Sequence, residues 1–135
     1  MKIIDIAAAL LVGEDGKTLL VRKRGTRAFM QPGGKIEPGE PAVQALVREL
    51  EEELALRVDP AQAAFIGEFS APAANEPGFS VRCQLFRVEC RAPVAPAAEI
   101  EEALWVDAQA CAALELAPLT RDLILPAYWP TLQPA

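Results

Sequence analysis

The sequence predicts an α/β fold: one mixed sheet, a long helix after the second strand, and a C-terminal helix. Three observations predict it. Short apolar or alternating runs bounded by Gly, Pro, Asn and Asp recur along the chain, as strands do. Between Pro41 and Leu56 the apolar spacing switches to the 3.6-residue period of a helix. The segment from Pro118 or Leu119 to Ala127 shows that period again. At 135 residues, 52% hydrophobic and 24% charged, the chain suits one domain (1–135) with a real core.

Ile3 to Leu11 is an unbroken apolar run, expected of a strand covered on both faces. Gly13-Glu14-Asp15-Gly16 is a turn and Thr18 to Lys23 a second strand, so the chain opens as a hairpin. Arg22-Lys23-Arg24-Gly25-Thr26-Arg27 then concentrates positive charge in a chain of net charge −6. An ordinary solvated strand end reads this way, and so does a phosphate contact. Arg22, Lys23 and Arg24 are the candidates, because they lead directly into Phe29-Met30-Gln31-Pro32-Gly33-Gly34, where glycines let the backbone approach a ligand.

The helix follows. Pro41 suits the first helical position, since its missing N–H is not needed there, which makes Glu40 the expected N-cap. Val43, Leu46, Val47, Leu50 and Leu54 share one stripe facing a core. Glu49, Glu52 and Glu53 lie on a neighbouring face at i, i+3 and i+4, close enough to approach one ion, whereas Glu51 points away. Like charges so placed destabilise a helix by a few tenths of a kcal/mol per pair. A hard divalent cation such as Mg²⁺, which prefers carboxylate oxygen, reverses that sign. A run of glutamates alone is an ordinary solvated helix face, so the spacing decides.

Gly34, five residues, Glu40, seven residues, then Arg48-Glu49-Leu50-Glu51-Glu52-Glu53 resembles the signature of the Nudix hydrolase family. The likeness spans residues 34–56 and departs at Ala55, where the signature has glycine. Alanine in a left-handed helix stop costs about 1 kcal/mol relative to glycine, so a strained stop or a helix prolonged by a turn is expected. The resemblance implies a Nudix α/β/α sandwich around the mixed sheet. It implies Mg²⁺-dependent hydrolysis, with Mn²⁺ as substitute, of a diphosphate bridge in a nucleoside diphosphate joined to another group. It further implies Glu49, Glu52 and Glu53 as metal ligands, with the Gly33 carbonyl a further candidate, and Arg48 as the residue orienting a glutamate. Glu40 is implied to be structural, as N-cap or Arg48 partner. The hairpin before the signature and the Trp105-Val106 strand after it look similar to the mutator-type, nucleoside triphosphate pyrophosphohydrolase branch. A glutamate six residues before the corresponding Trp reaches the metal in that branch, which selects Glu99 as water-activating base, with Glu102 second. That branch also uses an asparagine after a proline near the C-terminus to read an oxidised purine; Ala117-Pro118-Leu119-Thr120 has none, which weakens 8-oxo-dGTP as substrate.

Ala63 to Ser70 and Ser80 to Val88 read as further strands, the second with Val81, Cys83 and Leu85 on one face and Arg82, Gln84 and Phe86 on the other. The loop from Ala71 to Gly78 is longer than a hairpin needs, as solvent loops and some substrate walls are. A second loop covers 92–98, and a short strand Ala103 to Val106 follows Glu99-Ile100-Glu101-Glu102. Asp107 is placed to cap a helix over 108–114. In the last helix Leu119, Leu123 and Leu125 or Pro126 are expected inward, with Arg121 and Asp122 outward. Tyr128-Trp129-Pro130 either packs on the domain or supplies a dimer contact, leaving monomer and homodimer both open. Phe29, Phe79 and Trp105 are candidates to stack on a base, each equally placed to be core.

Composition excludes several functions. With no histidine, His-based catalysis and His-ligated zinc are ruled out. The acidic balance argues against nucleic-acid binding, because no basic excess exists to displace counterions. Cys83, Cys90 and Cys111 form no C-x-x-C pair, and Cys83 and Cys90 project to opposite faces of their strand. Reduced thiols, no signal-peptide pattern and no apolar run of membrane-spanning length imply a cytoplasmic protein without a membrane partner. The implied ligand is a small nucleotide. A catalytically silent nucleotide-binding regulator of the same family is the alternative, disfavoured because every acid of the signature is present.

Overall fold

The middle of the sheet is set by β1 (Lys2–Val12), which pairs in parallel with β5 (Phe79–Glu89) from Lys2↔Phe79 to Val12↔Glu89. The computed structural model describes residues 2–132. Four more strands complete a six-stranded mixed sheet: β2 (Thr18–Lys23), β3 (Gly33–Lys35), β4 (Ala64–Pro72) and β6 (Ile100–Val106). The order is β4-β5-β1-β2-β6, with β3 paired to β1 beside this path.

Alternation along β1 gives the sandwich. Ala7, Ala9 and Leu11 face the helix α1 (Ala42–Leu54) and pack with Leu46, Leu50 and Leu54. Ala8, Leu10 and Val12 face the opposite layer with Cys83, Leu85, Ile124 and Tyr128. Two-sided burial begins only at Ala7. Ile3 is 53% exposed, so the expectation of a strand covered on both faces holds for its second half alone. Cys83 and Cys90 fall in opposite cores, as expected, and the three cysteines are free. Burial pushes the Cys83 thiol up to about 12.

β1 and β2 meet at Val12↔Thr18 and then part. The chain after β2 fills the split. Met30 exchanges backbone hydrogen bonds with Val21 (2.8 and 2.9 Å), the Ala9 N–H donates to the Pro32 carbonyl at 2.9 Å, and β3 pairs with Ile6, Ala7 and Ala8. Gly-Gly-Lys carries no apolar alternation, which is why β3 is invisible to pattern reading. Its pairing is backbone alone.

Helix α1 begins one residue later than expected. Pro41 is extended (φ −63, ψ 145) and lies just outside the helix, and no side chain caps the start. Glu40 is therefore not the N-cap; its carboxylate is held by Arg48 and by the Glu37 N–H. At the other end Ala55 adopts the left-handed conformation (φ 55), its N–H donating to Glu51 O at 3.0 Å, so the strained stop is the one observed.

The opposite layer holds α2 (Ala108–Cys111), shorter than the 108–114 expected, with the Asp107 carboxylate accepting from the Ala110 N–H at 2.8 Å. The last helix opens as a π-helical turn, Thr120–Ile124, before α3 (Leu125–Tyr128). Pro126 has no N–H to donate and its ring crowds the carbonyl four residues back, which fits a widened turn ahead of it. The wider turn changes which side chains face inward. Leu119, Ile124 and Leu125 are buried, whereas Leu123 is 38% exposed, contrary to its expected inward position, and Pro126 is exposed as well. Tyr128 is buried and its hydroxyl donates to Gly16 O at 2.6 Å, so the tail packs on the β1–β2 turn.

Candidate active site

The split between β1 and β2 brings Gly33 and Gly34 against the acidic face of α1. A Cβ on Gly33 (φ 150) would strike the Ala7 carbonyl and the Ala8 Cα, so only glycine lets the wedge lie against β1. A Cβ on Gly34 would occupy the space of the Glu49 carboxyl group. The Gly33 N–H donates to Glu53 Oε1 at 3.1 Å. Two successive glycines thus seat two carboxylates.

Glu53 is only 3% exposed. Its carboxyl is pushed up to about 8, first by burial and further by the nearby charges of Glu49 and Glu99, against the opposing Gly33 N–H and Lys23. Glu49 is also raised, chiefly by burial and additionally by Glu52, with Arg48 and Lys23 opposing. Glu52 is at the exposed rim with Oε1 3.8 Å from Arg48 Nη1. Glu51 pairs with Arg57 at 3.0 Å away from the others.

Arg48 fastens this face. Its Nε and Nη2 grip both oxygens of Glu40 at 3.0 and 2.9 Å, Nη1 donates to Glu49 Oε1 at 3.1 Å, and Nη2 also reaches the Lys35 carbonyl at 3.1 Å. The planar fork spans the loop and two helical acids at once, which a lysine ammonium does not do. The Arg48 guanidinium holds the Glu40 carboxyl below the usual carboxylate range.

The acidic turn before β6 reaches the same place by backbone bonds. Ala97 N–H donates to Glu53 O (2.8 Å) and Ala95 N–H to Leu54 O (2.9 Å), satisfying carbonyls of the last helical turn. Ala98, in the left-handed region (φ 52), turns the chain into Glu99, whose carbonyl accepts from Arg24 N–H at 2.8 Å. Glu99 Oε1 lies 3.5 Å from Lys23 Nζ, and the charges of both are felt at Glu53. Lys23 and Glu99 are therefore brought to the carboxylates. Arg22 instead pairs with Glu102 (2.7 Å) and donates to Thr26 O (2.8 Å), while Arg24 pairs with Glu101 (3.4 Å).

Among the described residues no three acidic or sulfur side chains stand close enough to hold a metal as they lie. The donor chemistry nevertheless fits a hard divalent cation. Burial and neighbouring negative charge hold the Glu49 and Glu53 carboxyls above their ordinary range, and a cation is what relieves both.

A cavity of about 120 Å³ opens beside Glu53, Lys23, Gly33 and Gly34, walled by Ala73, Ala74, Asn75 and Glu76 of the long loop. It runs into a smaller one of about 70 Å³ toward Leu119 and Thr120. No aromatic lines either. Phe29 is core, with the Arg22 guanidinium 5.9 Å from its ring centre, and Phe79 lies under Lys2. Trp105, 37% exposed, lines a larger open cleft of about 780 Å³ with Gly13 and Arg91, which holds none of the α1 acids. Gln31 and Thr120, joined at 2.6 Å, line the smaller cavity, and neither stands out in the sequence, where Gln31 precedes Pro32-Gly33-Gly34 and Thr120 precedes Arg121-Asp122.

The family model described as NUDIX domain matches residues 2–127. The chain is 42% identical over 59 residues to an 8-oxo-dGTP diphosphatase of Haemophilus influenzae, covering 41% of this chain and 43% of that one. It is 42% identical over 77 residues to a CTP pyrophosphohydrolase of Escherichia coli, covering 53% and 50%. The crystal structure of a MutT protein from Methanosarcina mazei superposes with a TM-score of 0.70 at 25% identity, over 95% of this chain and 88% of that one. The chain spans between 31% and 50% of the length of the curated relatives it matches.

Proposed function

The chain belongs to the NUDIX family, and on that premise we propose that it hydrolyses a diphosphate linkage in a nucleoside diphosphate derivative, foremost a nucleoside triphosphate or related small nucleotide. One observation carries the reading. The buried Glu53 and half-buried Glu49 carboxyls, both raised, are seated on Gly33 and Gly34, and Arg48 fastens Glu49. The names of the two relatives, each a nucleoside triphosphate hydrolase, point the same way.

Mg²⁺ is the proposed cofactor, with Mn²⁺ as substitute, and Glu49, Glu52, Glu53 and the Gly33 carbonyl would hold it. When bound it supplies neutralisation of phosphate charge and polarisation of the bond to be cut. Arg48 positions Glu49 and restrains Glu52. Glu99 takes the proton from the attacking water, and Lys23, beside it, contacts the phosphates. Arg22 and Arg24 frame that edge through their acidic partners. No helix among the described residues is long and apolar enough to cross a membrane. We place the protein in the cytoplasm, acting on a free nucleotide.

The test is incubation of the full chain with a panel of nucleotides and Mg²⁺, with the phosphate products resolved. Release of pyrophosphate or phosphate from at least one nucleotide, abolished by chelation, is expected. Binding across the panel without turnover would instead establish the silent regulator.

A further inference from the structure

The acids beside the cavity of about 120 Å³ have few positive charges to answer them, and most of those are already committed. Arg48 grips Glu40 and Glu49, Arg22 pairs with Glu102, and Arg24 pairs with Glu101. Two lysines, Lys23 and Lys35, line the cavity, with Lys35 exposed at the end of β3. Lys23 is the one tied to the acids: it shares the cavity wall with Glu53, and its Nζ lies 3.5 Å from Glu99 Oε1. A bulge puts it there. Arg22 pairs with Glu102 and Lys23 with Ile100, so β6 carries Glu101 as an extra residue, which brings Ile100 and the adjoining Glu99 alongside Lys23.

An ammonium group among carboxylates supplies part of what a divalent cation supplies. Burial raises the Glu53 and Glu49 carboxyls, and Lys23 acts on both in the opposite sense, favouring the charged form. The charge that steadies these carboxylates also repels any cation approaching them, because the field of a partly buried ammonium is only partly screened. A competing anion can draw Lys23 away from Glu99. A phosphate chain is such an anion.

We infer that Lys23 is the internal counterion of the carboxylate cluster and lowers the protein's affinity for a divalent cation as long as no phosphate engages it. This rests on the cation site proposed above but concerns its affinity rather than the bond cut. Like charges a few ångströms apart at a partly screened position correspond to a change of about tenfold in cation affinity.

Equilibrium binding of Mn²⁺ alone to the full chain, with free Mn²⁺ counted by its paramagnetic resonance signal and no nucleotide or phosphate present, tests it independently of turnover. Lys23→Met is expected to bind Mn²⁺ about fivefold or more tightly than wild type, a gain that damage to the fold does not produce. Lys23→Arg keeps the charge and should stay within about twofold of wild type. Lys35→Met removes a charge from the same cavity wall without touching Glu99, and its gain should be well below that of Lys23→Met. Raising KCl from about 0.05 M to about 0.5 M should narrow the difference between wild type and Lys23→Met. Lys23→Gln serves if Lys23→Met fails to fold. A gain of less than about fivefold on removing the Lys23 charge, an equal gain in Lys35→Met, or no Mn²⁺ bound by any of the proteins would overturn the proposal. A protein that binds Mn²⁺ as expected but releases no phosphate products in the separate turnover assay contradicts the hydrolase reading alone.

Discussion

The Ala97 N–H donates to the carbonyl oxygen of Glu53 at 2.8 Å, tying the turn that carries Glu99 to the end of the helix that carries the buried acid. Two segments more than forty residues apart in sequence are fixed by the helix's own unpaired carbonyls. The proposed base and proposed metal ligand therefore share one backbone anchor. This distinguishes Glu99 from Glu102, which is spent on Arg22 at 2.7 Å.

Glu99→Gln is accordingly expected to lower kcat by about 100-fold or more, the usual worth of a general base. Glu102→Gln should stay within about threefold of wild type, since it loses an ion pair half-exposed at the strand edge. Steady-state kinetics on whichever nucleotide turns over fastest decides. Equal losses in the two variants would remove Glu99 from its role.

Gly34→Ala separates folding from function. The three atoms nearest the added Cβ all belong to the Glu49 carboxyl group, the far end of a flexible side chain, and the backbone there is not left-handed. The melting temperature should change little while kcat/KM falls about 100-fold or more, a loss of about 3 kcal/mol of transition-state stabilisation. Gly33→Ala meets β1 backbone instead and should destabilise the fold itself.

A metal-free pH titration of stability follows from Glu53, whose folded pKa of about 8 lies above its ordinary 4.5. Between those values the folded state holds a proton that the unfolded chain releases. Its contribution to stability is complete below about pH 4.5 and is lost as the pH rises through about 8. At about 1.4 kcal/mol per unit, the wild type should lose on the order of 5 kcal/mol relative to Glu53→Gln across that window. Excess Mg²⁺ should restore stability increasingly as the pH rises. Urea unfolding at several pH values, with and without metal, measures both.

Ala55→Gly tests the helix stop. Glycine accepts the observed φ of 55 without the alanine penalty, so stability should rise by about 1 kcal/mol. Activity should be unchanged, because Ala55 contacts neither the cavity nor the acids' carboxylates.

Much of this was legible in the residues. The periodicity of Leu46, Leu50 and Leu54 located the helix, and spacing sorted Glu49, Glu52 and Glu53 from Glu51. Three things were not legible. β3 pairs through backbone groups that every residue possesses. The exposure of Leu123 depends on a π-helical turn ahead of Pro126, which puts Ile124 in the inward place that an α-helical period gives to Leu123. The cavity's polar edge joins Gln31 to Thr120 across 89 residues, a contact no local pattern encodes.

The most direct test of the account compares wild type and Glu53→Gln on a nucleotide panel with Mg²⁺, measuring phosphate products and the melting temperature of both proteins. The wild type is expected to hydrolyse at least one nucleoside triphosphate or related nucleotide. The variant should fold and melt no lower in metal-free buffer at neutral pH, with kcat reduced about 300-fold or more. Turnover in Glu53→Gln within a few-fold of wild type would contradict the central claim.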